Sequence, residues 1–241
     1  MKESKIAKEE NAFKTALLLL PSRLFLFLAF QLLLAWLLGS FAESQKYWLL
    51  TASATNLVSI TILVWLLKSE RKRFFPLFHF DRKTLKRDIF TFLGITLLCG
   101  PVVFGPEYFL SRWIWSDPSI PFNMMFQPIS RSLIYVLAVV FPVTIALAEL
   151  STYFVFIMPR LNRRIKQKWM VVLLPVLFLA IQHCTLPFIP DINFVLYRGL
   201  VFLPFAGLIG ITLYFRPTLF PYFAILHGLL DFGTVMVLLN N

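Results

Sequence analysis

Seven stretches of nearly unbroken apolar sequence, parted by short polar or basic connections, run the length of this chain: Leu24 to Phe41, Tyr47 to Leu67, Ile89 to Phe109, Leu133 to Met158, Trp169 to Phe188, Gly199 to Phe215 and Leu219 to Leu239. Each approaches or reaches the roughly 20 residues that cross about 30 Å of hydrocarbon as a helix, in which every backbone N–H and C=O is satisfied internally. The pattern predicts an all-α fold, a polytopic transmembrane helical bundle of seven or eight spans. The first span has room to begin near Phe13, with Pro21 and Arg23 interrupting it. By organisation, residues 1–132 hold the N-terminal membrane spans and a basic cytoplasmic loop, and residues 133–241 form a second helical core.

Composition agrees: 59% of the 241 residues are hydrophobic and 15% charged, so no soluble domain separates from the whole. The net charge of +11 falls in short runs between the apolar stretches, which argues against nucleic acid as a partner and for the lipid bilayer. Lys68, Arg71, Lys72, Arg73, Arg82, Lys83, Lys86 and Arg87 follow span two, and Arg160, Arg163, Arg164, Lys166 and Lys168 follow span four. The alternate connections hold only Lys46, Arg112, Arg131 and Arg198. The positive-inside rule then predicts an integral protein of the cell membrane with its amino terminus cytoplasmic and its carboxyl terminus outside. Cys99 and Cys184 lie in apolar spans and give no disulfide framework or Cys-rich metal site. Ser40 and Ala42 have the small residues of a signal-peptidase site, but the long preceding segment predicts a retained first span. The connection from Ser111 to Ser132, rich in Trp, Phe, Met and Pro, fits an interfacial loop or the cover of a cavity mouth.

Four ionisable side chains interrupt the later spans: Glu149, His183, His227 and Asp231. Even lenient insertion scales charge about 2.5 to 3.5 kcal/mol for Asp at a helix centre, so such residues point to function. At 1.5 Å per residue Glu149 lies about 13 Å, His183 about 21 Å, His227 about 12 Å and Asp231 about 18 Å from the inner ends of their spans. The i,i+4 spacing of His227 and Asp231 places both on one helix face. All four are expected to line one cavity near the midplane or slightly cytoplasmic of it. A desolvated carboxylate suits water activation, one imidazole can share the proton, and a second can donate to a developing oxyanion. Buried interhelical hydrogen bonding is the bland alternative for each His taken singly. Two imidazoles and two carboxylates are also an acceptable Zn set, although no H-E-x-x-H helix accompanies them. Cys184 beside His183 points elsewhere, because adjacent helix residues diverge. Glu107 and Asp191 fall near outer ends, where solvated or capping roles are expected, and Gly207 and Gly210 are expected to permit close helix packing.

The stretch Glu149-Leu150-Ser151-Thr152-Tyr153-Phe154, continuing to Pro159-Arg160-Leu161, resembles the first motif, EExxxR, of the CAAX-protease and bacteriocin-processing family of intramembrane glutamic proteases. Phe178 to His183 is similar to the second motif, an aromatic residue shortly before a His, with Leu179 at the usual Phe place. Gly207, Gly210, Tyr214, Arg216 and the run Leu219 to His227 and Asp231 are similar to the third region, which closes in H-x-x-x-N. The likeness covers Leu133 to Leu239 in order and spacing. It implies a metal-independent, cofactor-free endopeptidase acting on a peptide or membrane-protein substrate, prenylated or otherwise membrane-associated, near the cytoplasmic leaflet. Glu149 with His183 would activate water, and His227 with Asp231 would stabilise the oxyanion. Leu150 stands where the family has its second Glu, Phe154 where it has Arg, and Asp231 where it has Asn. The motif's own cation is therefore missing beside Glu149, and an ionised Asp231 accepts hydrogen bonds only. These departures leave a rival of another class open: a catalytically weakened relative that binds or scaffolds a membrane partner, as in bacteriocin immunity. The oligomeric state is not legible from the sequence.

Overall fold

The computed structural model describes residues 2–240, which are helical almost throughout, with no strand among them. The helices are α1 (Lys2–Leu19), α2 (Ser22–Leu38), α3 (Phe41–Lys46), α4 (Trp48–Ser69), α5 (Leu85–Trp115), α6 (Ser119–Met125), α7 (Arg131–Leu150), α8 (Met158–Asn162), α9 (Lys168–Ile181), α10 (Ile192–Val201), α11 (Leu203–Phe215) and α12 (Phe220–Asn240). A π-helical stretch, Ser151–Ile157, joins α7 to α8, and α9 ends in a 3-10 turn, Gln182–Thr185. Among the described residues six runs are long and apolar enough to cross a membrane, or seven if the helices on either side of Pro21, bent by 42°, act as one span. The expected helical bundle is therefore present, and neither α3, with 6 residues, nor α6, with 7, is long enough to add an eighth span.

Local chemistry sets most of the boundaries. Pro21 lacks an N–H and crowds the preceding turn, so α1 stops at Leu19 and α2 starts afresh. Gly39 closes α2 in the left-handed region at φ 68°, where a Cβ would be strained. Ser40 then caps α3 by accepting from the Glu43 backbone N–H at 3.2 Å. Asp191 caps α10, accepting from Phe194 N–H at 2.9 Å, which is the capping role expected of it. That cap also starts the sixth span at Ile192, earlier than the Gly199 read from hydropathy. Span three is longer than the apolar stretch that announced it, running from Leu85 to Trp115, so Glu107 lies within the helix and not at its end.

Packing places a polar layer between two apolar cores. One core holds Leu20, Leu63, Leu150, Tyr153, Leu161 and Phe220; the other holds Phe27, Ala52, Ile134, Phe141, Ile145 and Val235. On each helix that passes between them a polar residue sits at the crossing level: Arg23 on α2, Asn56 and Ser59 on α4, Glu149 on α7. Both basic connections lie at the same end of the bundle, where Arg160 bonds Glu70 and Phe156 O while its guanidinium lies 3.4 Å from the Phe156 ring centroid. Burial opposes the charge on Glu70, but hydrogen bonds from Arg160 and Lys72 outweigh it and hold this carboxyl below its ordinary value.

Candidate functional site

Glu149 is the penultimate residue of α7, two positions before the π-helical stretch begins at Ser151, and is 1% exposed. The wider turn frees backbone carbonyls that hydroxyls take up: Ser151 donates to Leu147 O and Ala148 O, and Thr152 to Ala148 O at 2.7 Å. Glu149 Oε2 accepts from Gln182 Nε2 at 2.6 Å and from an Arg23 Nη at 3.4 Å. The Gln182 amide is oriented by its other end, since its Oε1 accepts from Arg23 Nε at 2.9 Å and from the Tyr153 hydroxyl at 3.2 Å. Arg23 is completed by Asn56 Oδ1 at 2.9 Å and Ser59 Oγ at 3.2 Å, and Asn56 in turn donates to Thr144 Oγ1 at 3.2 Å. A fully buried guanidinium and carboxylate are thus paired and hydrogen-bonded, which is the condition under which buried charges are tolerated.

Arg23 corrects an expectation. The first motif carries Phe154 at its Arg place, yet Glu149 does have a cation, supplied from the first span instead of from its own helix. A basic residue near the margin of an apolar stretch reads as a helix interruption or a topogenic charge, and nothing in its spacing ties it to Glu149. Asn56, Ser59 and Gln182 were likewise missed, being uncharged and unremarkable in composition. The one signal that could have singled out Arg23 is that it stands alone between Pro21 and fifteen apolar or amide residues.

The other Glu149 oxygen has a different environment. Oε1 lies 3.2 Å from His227 Nε2 but off the line of a hydrogen bond, and it is buried without a hydrogen-bond partner. The same Nε2 is 3.3 Å from Asp231 Oδ2, so the imidazole edge stands between two carboxylates. Gly228 makes this approach possible: a Cβ there would come 3.0 Å from Pro142 O and 3.1 Å from Ala146 Cβ, so α12 meets α7 closely one residue from His227. His183 comes from the 3-10 turn that ends α9. Its Nδ1 lies 2.8 Å from Leu179 O, a pure acceptor, which puts the proton on Nδ1 and leaves Nε2 with a lone pair. The ring is stacked on Phe202, with centroids 3.8 Å apart and planes 19° apart.

Glu149, His183, His227 and Asp231 all line one cavity of about 530 Å³, within the roughly 300 to 1,000 Å³ of ordinary small-molecule sites. The cavity runs from these residues toward Trp48 at the start of α4 and Phe122 and Phe126 around α6, at the end of the bundle away from the basic connections. From the level of the four ionisable side chains the cavity extends to where Pro121, Phe122 and Met125 of α6 line it. The Ser111 to Ser132 connection covers the cavity through α6. Glu107, exposed and inside α5 instead of at its end, lines the cavity as well. Cys184 turns away and donates to Val195 O. Gly210 does permit close packing, since a Cβ would lie 2.6 Å from Val176 Cγ2, whereas Gly207 faces open space.

Among the described residues no group of three or more His, Cys, Asp and Glu is arranged to hold a metal ion, so the two imidazoles and two carboxylates do not fold into a chelate. Searches of protein-family models, of curated proteins and of solved structures find no match to this chain.

Proposed function

We propose that this chain is an intramembrane hydrolase of the glutamic-protease kind, cutting a peptide bond in a membrane-associated or prenylated substrate. The observation that carries the reading is the divided environment of Glu149: one carboxylate oxygen is held by Gln182 and Arg23, and the other lies against the His227 imidazole at the wall of a cavity that His183 also lines. An acid held in this way is oriented as a general base. A water that binds between Glu149 and His183 Nε2 gives a proton to the carboxylate and attacks the substrate carbonyl carbon. The carbonyl π electrons move to oxygen, and the His227 Nε2–H, on swinging away from the Glu149 and Asp231 oxygens it lies between, donates to the oxyanion. Collapse of the tetrahedral species breaks the C–N bond as the proton held on Glu149 passes to the leaving amine. The resemblance of Glu149 to Leu161, Phe178 to His183 and Gly207 to Asp231 to the CAAX-protease and bacteriocin-processing family supports the same reading.

Cleavage of a fluorogenic peptide panel in detergent tests it. Glu149→Gln and His183→Ala are expected to lower turnover by about 100-fold or more, the usual contribution of a positioned acid or base. Asp231→Asn is expected to leave turnover unchanged or raise it, since the amide can donate. Activity indifferent to Glu149→Gln rules the assignment out. A second reading, a binding or scaffolding relative, has one observation in its favour: Glu149 Oε1 is covered by His227, so a substrate must displace the imidazole to reach it. By the positive-inside rule the protein is placed with its amino terminus in the cytoplasm and the cavity toward the outer leaflet.

A further inference from the structure

Arg198, on α10, forms part of the same cavity wall but belongs to none of the bonds around Glu149. It is 4% exposed. Its Nε donates to His183 O at 3.3 Å and one Nη to Leu186 O at 2.7 Å, and its guanidinium lies 4.7 Å from the Phe202 ring centroid. Carbonyl dipoles and an aromatic face orient a cation without neutralising it. Arg23, Arg160 and Arg216 each have a carboxylate within ion-pair distance, whereas among the described residues none pairs with Arg198. Glu107 of α5 faces the same cavity but does not reach it. A buried guanidinium with donors to spare, at membrane depth and on a cavity wall, lacks its anion.

We propose that the limb of the cavity beyond Glu149 binds a long-chain fatty acid, its carboxylate on Arg198 and its hydrocarbon tail along Phe104, Phe122, Met125 and Phe126. Charge selects the head: the single buried guanidinium matches a monoanion, and a phosphate dianion would be undercompensated. The wall selects the tail. An extended peptide brings an N–H and a C=O with every residue and each needs a partner when buried, while these four side chains supply none. A hydrocarbon chain needs only their surface.

The inference concerns binding and does not depend on turnover at Glu149. Native mass spectrometry of the purified full chain, delipidated in detergent, with oleate, methyl oleate and an apolar tetrapeptide with a free carboxyl terminus tests it. Oleate is expected to bind one per chain, at least tenfold more tightly than its methyl ester. Arg198→Gln is expected to abolish that preference, Arg198→Lys to retain part of it, and Glu107→Gln to tighten oleate several-fold by removing the competing negative charge. Equal affinity for oleate and its ester overturns the proposal, as does an oleate preference that survives Arg198→Gln. Arg198-dependent binding of the tetrapeptide without binding of oleate overturns the lipid assignment. If Arg198→Gln does not fold, the wild-type comparison of acid with ester and the Glu107→Gln shift decide the matter.

Discussion

Arg23 and Glu149 show how much a single pair can carry at the level of residues. Each charge is buried, and each is tolerated because the other, with Asn56, Ser59 and Gln182, completes its bonds. Removing one partner of a buried pair leaves an uncompensated charge and typically costs about 3 to 5 kcal/mol. Arg23→Met is therefore expected to lower thermal stability in detergent sharply and to abolish turnover with it. Arg23→Lys, which keeps the charge but loses the forked geometry, is expected to recover stability more than turnover. Melting curves read beside cleavage rates check this, and an Arg23→Met protein as stable as wild type contradicts the pairing. Glu149, His183, His227 and Asp231 were legible in the sequence because an ionisable group inside an apolar span has few structural uses. Arg23 was not, since a guanidinium near a span margin is also the commonest topogenic signal, and the amides that complete the cluster carry no charge to notice.

Between helices, small residues decide which elements meet. Gly228 brings α12 against α7, and with it His227 against Glu149; the Cβ of an alanine there would press on the Pro142 carbonyl, a backbone atom with little freedom to yield. Overpacking of this kind costs about 1 to 3 kcal/mol. Gly228→Ala is expected to destabilise the protein by that amount and to slow turnover by displacing His227. Gly233→Ala, five residues along the same helix and facing open space, is expected to be neutral or stabilising. Paired melting temperatures of the two variants check this, and equal values contradict the expectation. Hydropathy located six clear spans, and a seventh if the bent pair around Pro21 is one, because about 20 apolar residues are needed to cross the hydrocarbon. It misplaced the starts of spans three and six, where capping and amphipathic turns extend the helices past the apolar stretch. Nor does any periodicity announce the π-helical stretch after Glu149, which depends on hydroxyls meeting displaced carbonyls.

Over the whole molecule, the two basic connections share one end and the cavity runs toward the other. If the positive-inside rule sets the orientation, single cysteines placed at Lys83 and Ser116, after Cys99 and Cys184 are replaced by alanine, respond oppositely to a membrane-impermeant maleimide. Ser116→Cys is expected to label on intact cells and Lys83→Cys only after permeabilisation; the reverse pattern inverts the assignment. The bundle and its candidate residues were readable from a linear pattern, but the course of the cavity was not, because that depends on where α6 comes to line it. The separation of Arg23 from Glu149 by 126 positions carries a consequence for biogenesis. As the polypeptide emerges, the guanidinium enters the bilayer long before its carboxylate has been synthesised. For that interval Asn56 and Ser59, on the next full-length span, are the only partners of its final cluster already made.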